Sequence, residues 1–277
     1  MTAPTIVWFR LTAAALTLGL LLRLRGALPD FGFLRGRLLA LLAIAAVSFT
    51  LNNLIFLLGL KFTTPEASQV VIQLAPLFLL LGGVALFGER FTGWQWAGLA
   101  TLLAGMALFF NQRLRGLSEG GEGYFFGIAL IVLAAALWAV YALSQKQMLN
   151  TFSSMGSMWL IYAVSCLLSL PFARPSEAAS LDTTGWLLLA FCCINTVFSY
   201  GCFTEALVHW EASRASAVVC TTPLLTFAVV ALAAKLFPGS VAPEPLNWIS
   251  LVGAACVVAG SILAAVGRGP VREDNRT

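Results

Sequence analysis

Hydrophobic residues in this chain are grouped into about nine runs separated by short polar connections. Each run reaches or approaches the roughly 20 residues that an α-helix needs to cross ~30 Å of hydrocarbon. None alternates polar and apolar positions over about ten residues, as membrane-barrel strands do, so the pattern predicts helices. The predicted cores are Thr5–Leu22, Leu38–Leu60, Ala67–Phe87, Trp94–Phe110, Phe125–Gln145, Met155–Phe172, Trp186–Ala206, Ala215–Leu236 and Leu246–Val266.

The chain contains an internal repeat. The stretch Phe56–Pro76 aligns without a gap on Phe203–Pro223, and the proline of each copy interrupts an apolar run. Five apolar segments separate the two copies, counted from start to start. Because an odd number of crossings reverses direction, the two halves should lie antiparallel, an arrangement that secondary transporters use to form a site at the midplane.

Composition also favours a membrane protein. Hydrophobic residues make up 60% of the chain and charged residues only 10%, whereas soluble domains carry about 25% charged residues. The six cysteines lie in apolar runs without CxxC spacing, and His209 is the only histidine. We therefore expect no disulfide framework, metal site or cofactor. No basic patch with interleaved aromatic residues indicates nucleic acid.

Basic residues set the predicted orientation. Arg23, Arg25, Arg35 and Arg37 crowd the first connection, and three more arginines lie in the tail 268–277. The positive-inside bias places both segments in the cytoplasm and the N-terminus outside. One further N-terminal span, lost or left out of the reading frame, would account for that start.

The repeat motifs resemble a known family. The stretch Pro65–Phe109 combines Pro76, the motif Phe87–Thr92 and the glycines Gly98 and Gly105. Glu244, Gly253 and Gly260 match Glu89, Gly98 and Gly105 at one common offset. This pattern is similar to the EamA repeat of drug/metabolite transporters, and the resemblance covers almost the whole chain.

The resemblance implies an all-α polytopic fold with two inverted EamA-type repeats. The expected segments are a first repeat at 1–116 that lacks its first span, a second repeat at 123–267, and a cytoplasmic tail at 268–277. The family has ten spans, of which nine are visible here, and an insertion around residues 238–243 is a second departure from the pattern. Membership implies export of amino acids, related metabolites or toxic compounds across a bacterial inner membrane, without an enzyme activity.

Matching polar faces in the two halves predict the substrate site. Asn52 in the first half corresponds to Ser199 in the second, and Asn195 shares the face of Ser199. Gln69 and Gln73 form a second face on the next span. We predict that these residues line a cavity; the alternative is that they join helices by hydrogen bonds, each contributing about 0.6–2 kcal/mol.

Trp138 and Tyr141 share a face of the fifth predicted helix and are candidates for stacking on a planar substrate. The alternative is a lipid-facing or packed aromatic stripe. Glu205 has no acidic counterpart in the first half, and a carboxylate within the bilayer costs at least ~2.5 kcal/mol. We predict proton coupling or substrate contact for Glu205; the alternative is shallow pairing with Arg214 or His209.

Other repeat residues have architectural interpretations. Pro76 and Pro223 interrupt their helices. Glu89 precedes Thr92, a suitable N-cap, and Glu244 precedes Asn247 in the same way, which favours a structural role over gating. The glycine pairs at 98/105 and 253/260, each two turns apart, should permit close helix packing.

Three functions remain open at this point. The first and favoured one is a secondary transporter that moves a small molecule by alternating access. Proton coupling is the expected energy source, because no nucleotide-binding motif is present. The second is an intramembrane enzyme, for which no catalytic motif is visible. The third is an incomplete nine-span subunit that needs a partner. A homodimer is compatible with the sequence.

Overall fold

The computed structural model describes residues 1–87, 92–111, 122–209, 222–236 and 247–266. Regular structure in these ranges is helical, without a strand. Short 3₁₀ helices cover Phe31–Phe33, Leu170–Phe172 and Pro175–Ser180. The α-helices are α1 (Ala3–Leu24), α2 (Arg37–Gly59), α3 (Pro65–Val71), α4 (Leu74–Phe87), α5 (Gly93–Phe109), α6 (Glu122–Met148), α7 (Ser154–Ser169), α8 (Thr183–His209), α9 (Thr222–Leu236) and α10 (Trp248–Val266).

Each predicted apolar core overlaps at least one of these helices, which confirms the all-α polytopic class. Five helical segments of the described part are long and apolar enough to cross a membrane: those within α1, α2, α6 and α8, and α7 with the 3₁₀ turn that follows it. Large apolar side chains also point outward from α8, where Phe191 is 67% and Phe198 is 70% exposed. Such an apolar exterior is expected where lipid is the solvent.

The helices form two compact units. The first consists of residues 1–58 and 136–209, and the second takes its described residues from 59–135 and 222–266. The boundary falls within α6, whose two halves belong to different units. Each unit therefore combines segments from both halves of the sequence, and the repeat boundaries at 1–116 and 123–267 stay a prediction.

In the first unit, α1 packs on α7 and α8. The indole of Trp159 covers Gly19, where an added Cβ would lie 2.6 Å from the indole nitrogen. The Ser165 hydroxyl of α7 donates a 3.2 Å hydrogen bond to the carbonyl oxygen of Ala46 in α2. These contacts join the helices through small residues and backbone acceptors, as is usual for membrane helices.

In the second unit, α5 packs along α10. The predicted cap at Thr92 is present, since its hydroxyl accepts from the Gln95 amide and the Gln95 side chain accepts from the Thr92 amide. Asn247 accepts a 2.7 Å hydrogen bond from the Ser250 amide and so caps the start of α10. Glu89 and Glu244, predicted to support these caps, lie outside the described residues.

A break separates α3 from α4. The sequence predicts one core over Ala67–Phe87 with an interruption at Pro76, whereas α3 ends at Val71 and α4 begins at Leu74. Proline at position 76 has no N–H to donate and disfavours an α-helical carbonyl four residues earlier, at Ile72. The Ile72 carbonyl instead accepts a hydrogen bond of the 3₁₀ type, from the amide three residues later, that of Ala75, at 2.8 Å.

Candidate functional site

Three tyrosines converge on one phenylalanine in the first unit. Phe49 of α2 contacts Tyr141 of α6, with ring centroids 4.7 Å apart, and Tyr162 of α7, at 5.6 Å. Tyr200 of α8 meets the same ring edge-on at 5.2 Å. Phe49, Tyr141 and Tyr162 are buried. Four helices therefore meet at an aromatic group that carries three hydroxyls.

Arg10 lies beside this aromatic group and is held by a threonine. Its Nε donates a 2.8 Å hydrogen bond to Oγ1 of Thr196, and the Thr196 hydroxyl in turn donates to the carbonyl oxygen of Cys192 at 2.8 Å. Thr196 is the central residue of α8, about 20 Å of helix from either end. The guanidinium is therefore fixed at mid-helix depth rather than extended to an interface.

Tyr200 lies one helical turn beyond Thr196 on α8, and the Phe49 ring contacts both Tyr200 and Tyr162. The Tyr162 hydroxyl is buried and has no hydrogen-bond partner within the described residues. A cation at this depth costs at least ~2.5 kcal/mol and usually marks a functional site. We refer to Arg10, Phe49, Tyr162, Thr196 and Tyr200 as the Arg10 cluster.

The predicted stripe on α6 packs against other helices. The Trp138 ring lies 5.6 Å from that of Phe203 in α8. Gln145, one turn beyond Tyr141, donates to the Thr204 hydroxyl at 3.5 Å. Trp138 is half-buried, and a substrate-stacking role for Trp138 and Tyr141 stays a prediction.

The predicted polar residues of α2 and α8 have different surroundings. Asn52 is buried in α2, with 6% of its surface exposed. Asn195 and Ser199 are exposed on α8, where the Ser199 hydroxyl donates to Oδ1 of Asn195 at 2.8 Å. They are one position away from Thr196 and Tyr200, a rotation of about 100° around the helix. The structure therefore separates this pair from the Arg10 cluster.

Glu205 lies near the C-terminal end of α8. Its Oε2 accepts a 2.8 Å hydrogen bond from the hydroxyl of Ser154, the first residue of α7, and the side chain is exposed. The N-terminus of α7 offers a favourable electrostatic environment to a carboxylate. Arg214 and His209 are the two alternative partners predicted for Glu205. Arg214 and the side chain of His209 lie outside the described part.

Gln69 and Gln73 belong to the second unit. Gln73 lies in the break between α3 and α4 and is only 1% exposed. Its Oε1 has no hydrogen-bond partner within the described residues. Gln69 is half-buried on α3. Interrupted helices are a feature of transporter binding sites, and a substrate-binding role for both residues stays a prediction.

Sequence reasoning missed most of the Arg10 cluster. The sequence patterns assign no role to Arg10, Tyr162, Thr196 or Tyr200. The available signal was that an arginine and three of the four tyrosines lie well inside apolar runs. Among the predicted motif residues, Pro76 and Pro223 lie in the first turns of α4 and α9.

Comparison with known proteins adds family information. The model of the EamA-like transporter family matches residues 1–111 and 125–266. An uncharacterized transporter of Haemophilus influenzae is 34% identical over 267 residues, covering 96% of this chain and 87% of the relative. The uncharacterized inner membrane transporter YhbE of Escherichia coli K12 is 33% identical over 268 residues, covering 96% and 84%.

Two more distant similarities were found. A probable amino-acid metabolite efflux pump of Escherichia coli K12 is 23% identical over 223 residues, covering 76% of this chain and 70% of that protein. A crystal structure of a protein with 17% sequence identity superposes with a TM-score of 0.66, covering 96% of this chain and 88% of that one. At this identity the structural match concerns the fold alone.

Proposed function

The chain belongs to the EamA-like transporter family, and from this premise we propose that it is a secondary transporter that exports small polar metabolites, with amino acids as the first class to test. The family model covers both halves of the chain. The distant relative named as a probable amino-acid metabolite efflux pump supports the choice of solute. Toxic compounds are the second class to test.

The observation that carries the proposal is the Arg10 cluster. It places a cation and tyrosine hydroxyls at the mid-depth of helices that are otherwise apolar enough to cross a membrane. Secondary transporters bind their substrates near the bilayer midplane and expose the site alternately to the two sides. A packing role alone does not require a positive charge at this depth.

We propose a proton gradient as the energy source, because the sequence contains no nucleotide-binding motif. Glu205 is the proposed proton-binding group. Its exposure gives the carboxylate access to water, and the hydrogen bond from Ser154 holds it in place. Protonation would remove the negative charge from the N-terminus of α7 and thereby change the balance between the two access states.

The coupling is tested in proteoliposomes that contain a trapped pH-sensitive dye. Addition of a transported amino acid should change the internal pH in wild-type vesicles and leave protein-free vesicles unchanged. Glu205→Gln keeps an oxygen acceptor for Ser154 but cannot ionise, so it should abolish the proton signal. Glu177→Gln, which alters an exposed glutamate in a 3₁₀ helix, is the matched control. Full pH-driven transport by Glu205→Gln would show that the proton assignment is wrong.

We also propose a cytoplasmic C-terminus, in agreement with the positive-inside bias of the first connection and the tail. A fluorescent protein fused to the C-terminus tests this orientation, because green fluorescent protein matures in the cytoplasm but not after export in unfolded form. Bright cells support the assignment. A reporter that is active only in the periplasm would reverse it.

A further inference from the structure

We propose that the Arg10 cluster binds the carboxylate group of the transported substrate, with the Arg10 guanidinium as the charged donor and the hydroxyls of Tyr162 and Tyr200 as neutral donors. This inference rests on the proposed transport function and specifies its substrate class. It predicts that a free carboxylate is required for recognition. It also gives Thr196 a positioning role, because Thr196 holds the guanidinium rather than contacting the substrate.

The hydrogen bonding of Arg10 in the described part leaves the two terminal nitrogens of its guanidinium available for a carboxylate. Within the described residues, the side chain donates only through Nε, to Thr196. Thr196 uses its own proton on the Cys192 carbonyl, so its oxygen is oriented as an acceptor for Arg10. The two terminal nitrogens of the guanidinium remain, and they form the planar fork that pairs with the two oxygens of a carboxylate.

Acidic side chains of the protein do not neutralise Arg10 in the described part. The acidic side chains that the structure places there accept hydrogen bonds elsewhere, from Gly32, Thr2, Gly185 and Ser154. These acceptors are Asp30, Glu177, Asp182 and Glu205, respectively. A cation held at mid-helix depth without a protein anion creates a favourable position for an anionic ligand.

The neighbouring tyrosines supply further donors. Tyr162 is only 1% exposed, and its hydroxyl has no hydrogen-bond partner within the described residues. Leaving a buried polar group unpaired costs about 1–3 kcal/mol, and a carboxylate oxygen would accept a hydrogen bond from this hydroxyl. Tyr200 follows Thr196, the residue that holds Arg10, by one turn of α8. The Phe49 ring contacts both tyrosines and provides an apolar wall for the remainder of a small substrate.

The proposal is tested by binding measurements on the full-length protein purified in detergent. The probes are L-threonine, L-leucine and L-phenylalanine, each paired with its amide, which keeps the amine and side chain but lacks the carboxylate. At least one acid should bind wild type about 10- to 100-fold more tightly than its amide, the range expected for charge-assisted hydrogen bonds. Equal binding of all three acids and their amides, or binding of none of them, would overturn the proposal.

Variants then assign the preference to the cluster. Arg10→Gln should remove the preference for acid over amide, and Arg10→Lys should restore only part of it, because an ammonium lacks the planar fork. Thr196→Val and Tyr162→Phe should each reduce the preference by a smaller factor. The matched controls are Arg37→Gln, at an exposed arginine that bonds Gln147, and Tyr124→Phe, in the first turn of α6.

The outcomes separate this inference from the proposed function. An Arg10→Gln protein that keeps the acid preference contradicts the carboxylate assignment. If Arg10→Gln does not fold, two measurements still test the carboxylate assignment. They are the acid and amide affinities of wild type and the preference for acid over amide in Tyr162→Phe. Transport of a solute without carboxylate dependence would support the transport function and refute the carboxylate-binding inference. Acid-specific binding without any transport would support carboxylate binding and refute the transport function.

Discussion

Gly98 of α5 lies directly against Gly260 of α10. A Cβ added to Gly98 would lie 2.8 Å from the Gly260 carbonyl oxygen, and one added to Gly260 would lie 2.7 Å from the Gly98 carbonyl oxygen. Gly105 and Gly253 make the same reciprocal contact. The two helices therefore run antiparallel. Gly98 and Gly253 are repeat counterparts, as are Gly105 and Gly260, and each of these glycines contacts a member of the other pair. This relationship is expected from two inverted repeats.

Substitution of these glycines should destabilise the second unit. Gly98→Ala would place a methyl group against backbone atoms that cannot rotate away, and we expect a loss of about 1–3 kcal/mol in the free energy of unfolding. Gly201→Ala is the control, because its added Cβ would have nothing within 4 Å and a helix-interior glycine costs about 0.5–1 kcal/mol relative to alanine. Thermal unfolding in detergent should therefore rank Gly201→Ala at or above wild type and Gly98→Ala below it. The opposite ranking contradicts the close packing.

A polar network should stabilise one end of the same helix pair. The Asn247 side chain donates to Oδ1 of Asn111 at 3.1 Å and accepts from the Ser250 amide. Asn247→Ala should cost about 1–2 kcal/mol through loss of the cap and of this bond. A double-mutant cycle with Asn111→Ala checks the coupling, since additive effects would mean that the two side chains do not stabilise each other.

Gln73 allows stability and function to be separated. Its Oε1 is buried without a hydrogen-bond partner in the described part. Gln73→Leu should therefore not lower the free energy of unfolding and should raise it by up to about 1 kcal/mol. Transport should fall if the amide contacts the substrate as predicted. Gln147→Leu, at a glutamine that accepts from Arg37, is the control for transport. A Gln73→Leu protein with normal transport would assign Gln73 to packing alone.

The contact between Glu177 and Thr2 predicts a pH dependence of stability. The Thr2 backbone N–H donates to the Glu177 carboxylate at 2.6 Å, and this bond lowers the pKa of Glu177. A pKa that is lower in the folded state stabilises the fold above the unfolded-state value of about 4.3 and loses that contribution as the pH falls through the folded value. Thermal unfolding should thus show wild type above Glu177→Gln at pH 7, with the difference shrinking toward pH 3. A constant difference would refute this origin.

The helices could be predicted from the sequence because a membrane span requires a long apolar run, and such runs are visible without tertiary information. The break between α3 and α4 was placed only approximately. Proline marks the interruption, but the helix breaks about four residues earlier, because the Ile72 carbonyl clashes with the ring of Pro76 and receives no hydrogen bond from it.

The candidate site was harder to predict, because composition does not show which of two neighbouring polar stripes faces other helices. The sequence predicts Asn195 and Ser199 of α8 as site residues, whereas Thr196 and Tyr200 are the residues of α8 that contact Arg10 and Phe49. The two stripes differ by one residue, or about 100° of rotation. Only tertiary packing shows that Arg10 is held at the centre of α8.

The central claim is that this protein moves small polar solutes across a membrane, and solute counterflow tests it most directly because it requires no assumption about coupling. Proteoliposomes loaded with an unlabelled amino acid are diluted into a trace of the same labelled compound. We predict transient accumulation of label in wild-type vesicles for at least one amino acid, none in protein-free vesicles, and a strongly reduced signal with Arg10→Gln. A folded wild-type protein that gives no counterflow with amino acids or with the other small polar metabolites and toxic compounds of the proposal would contradict the account.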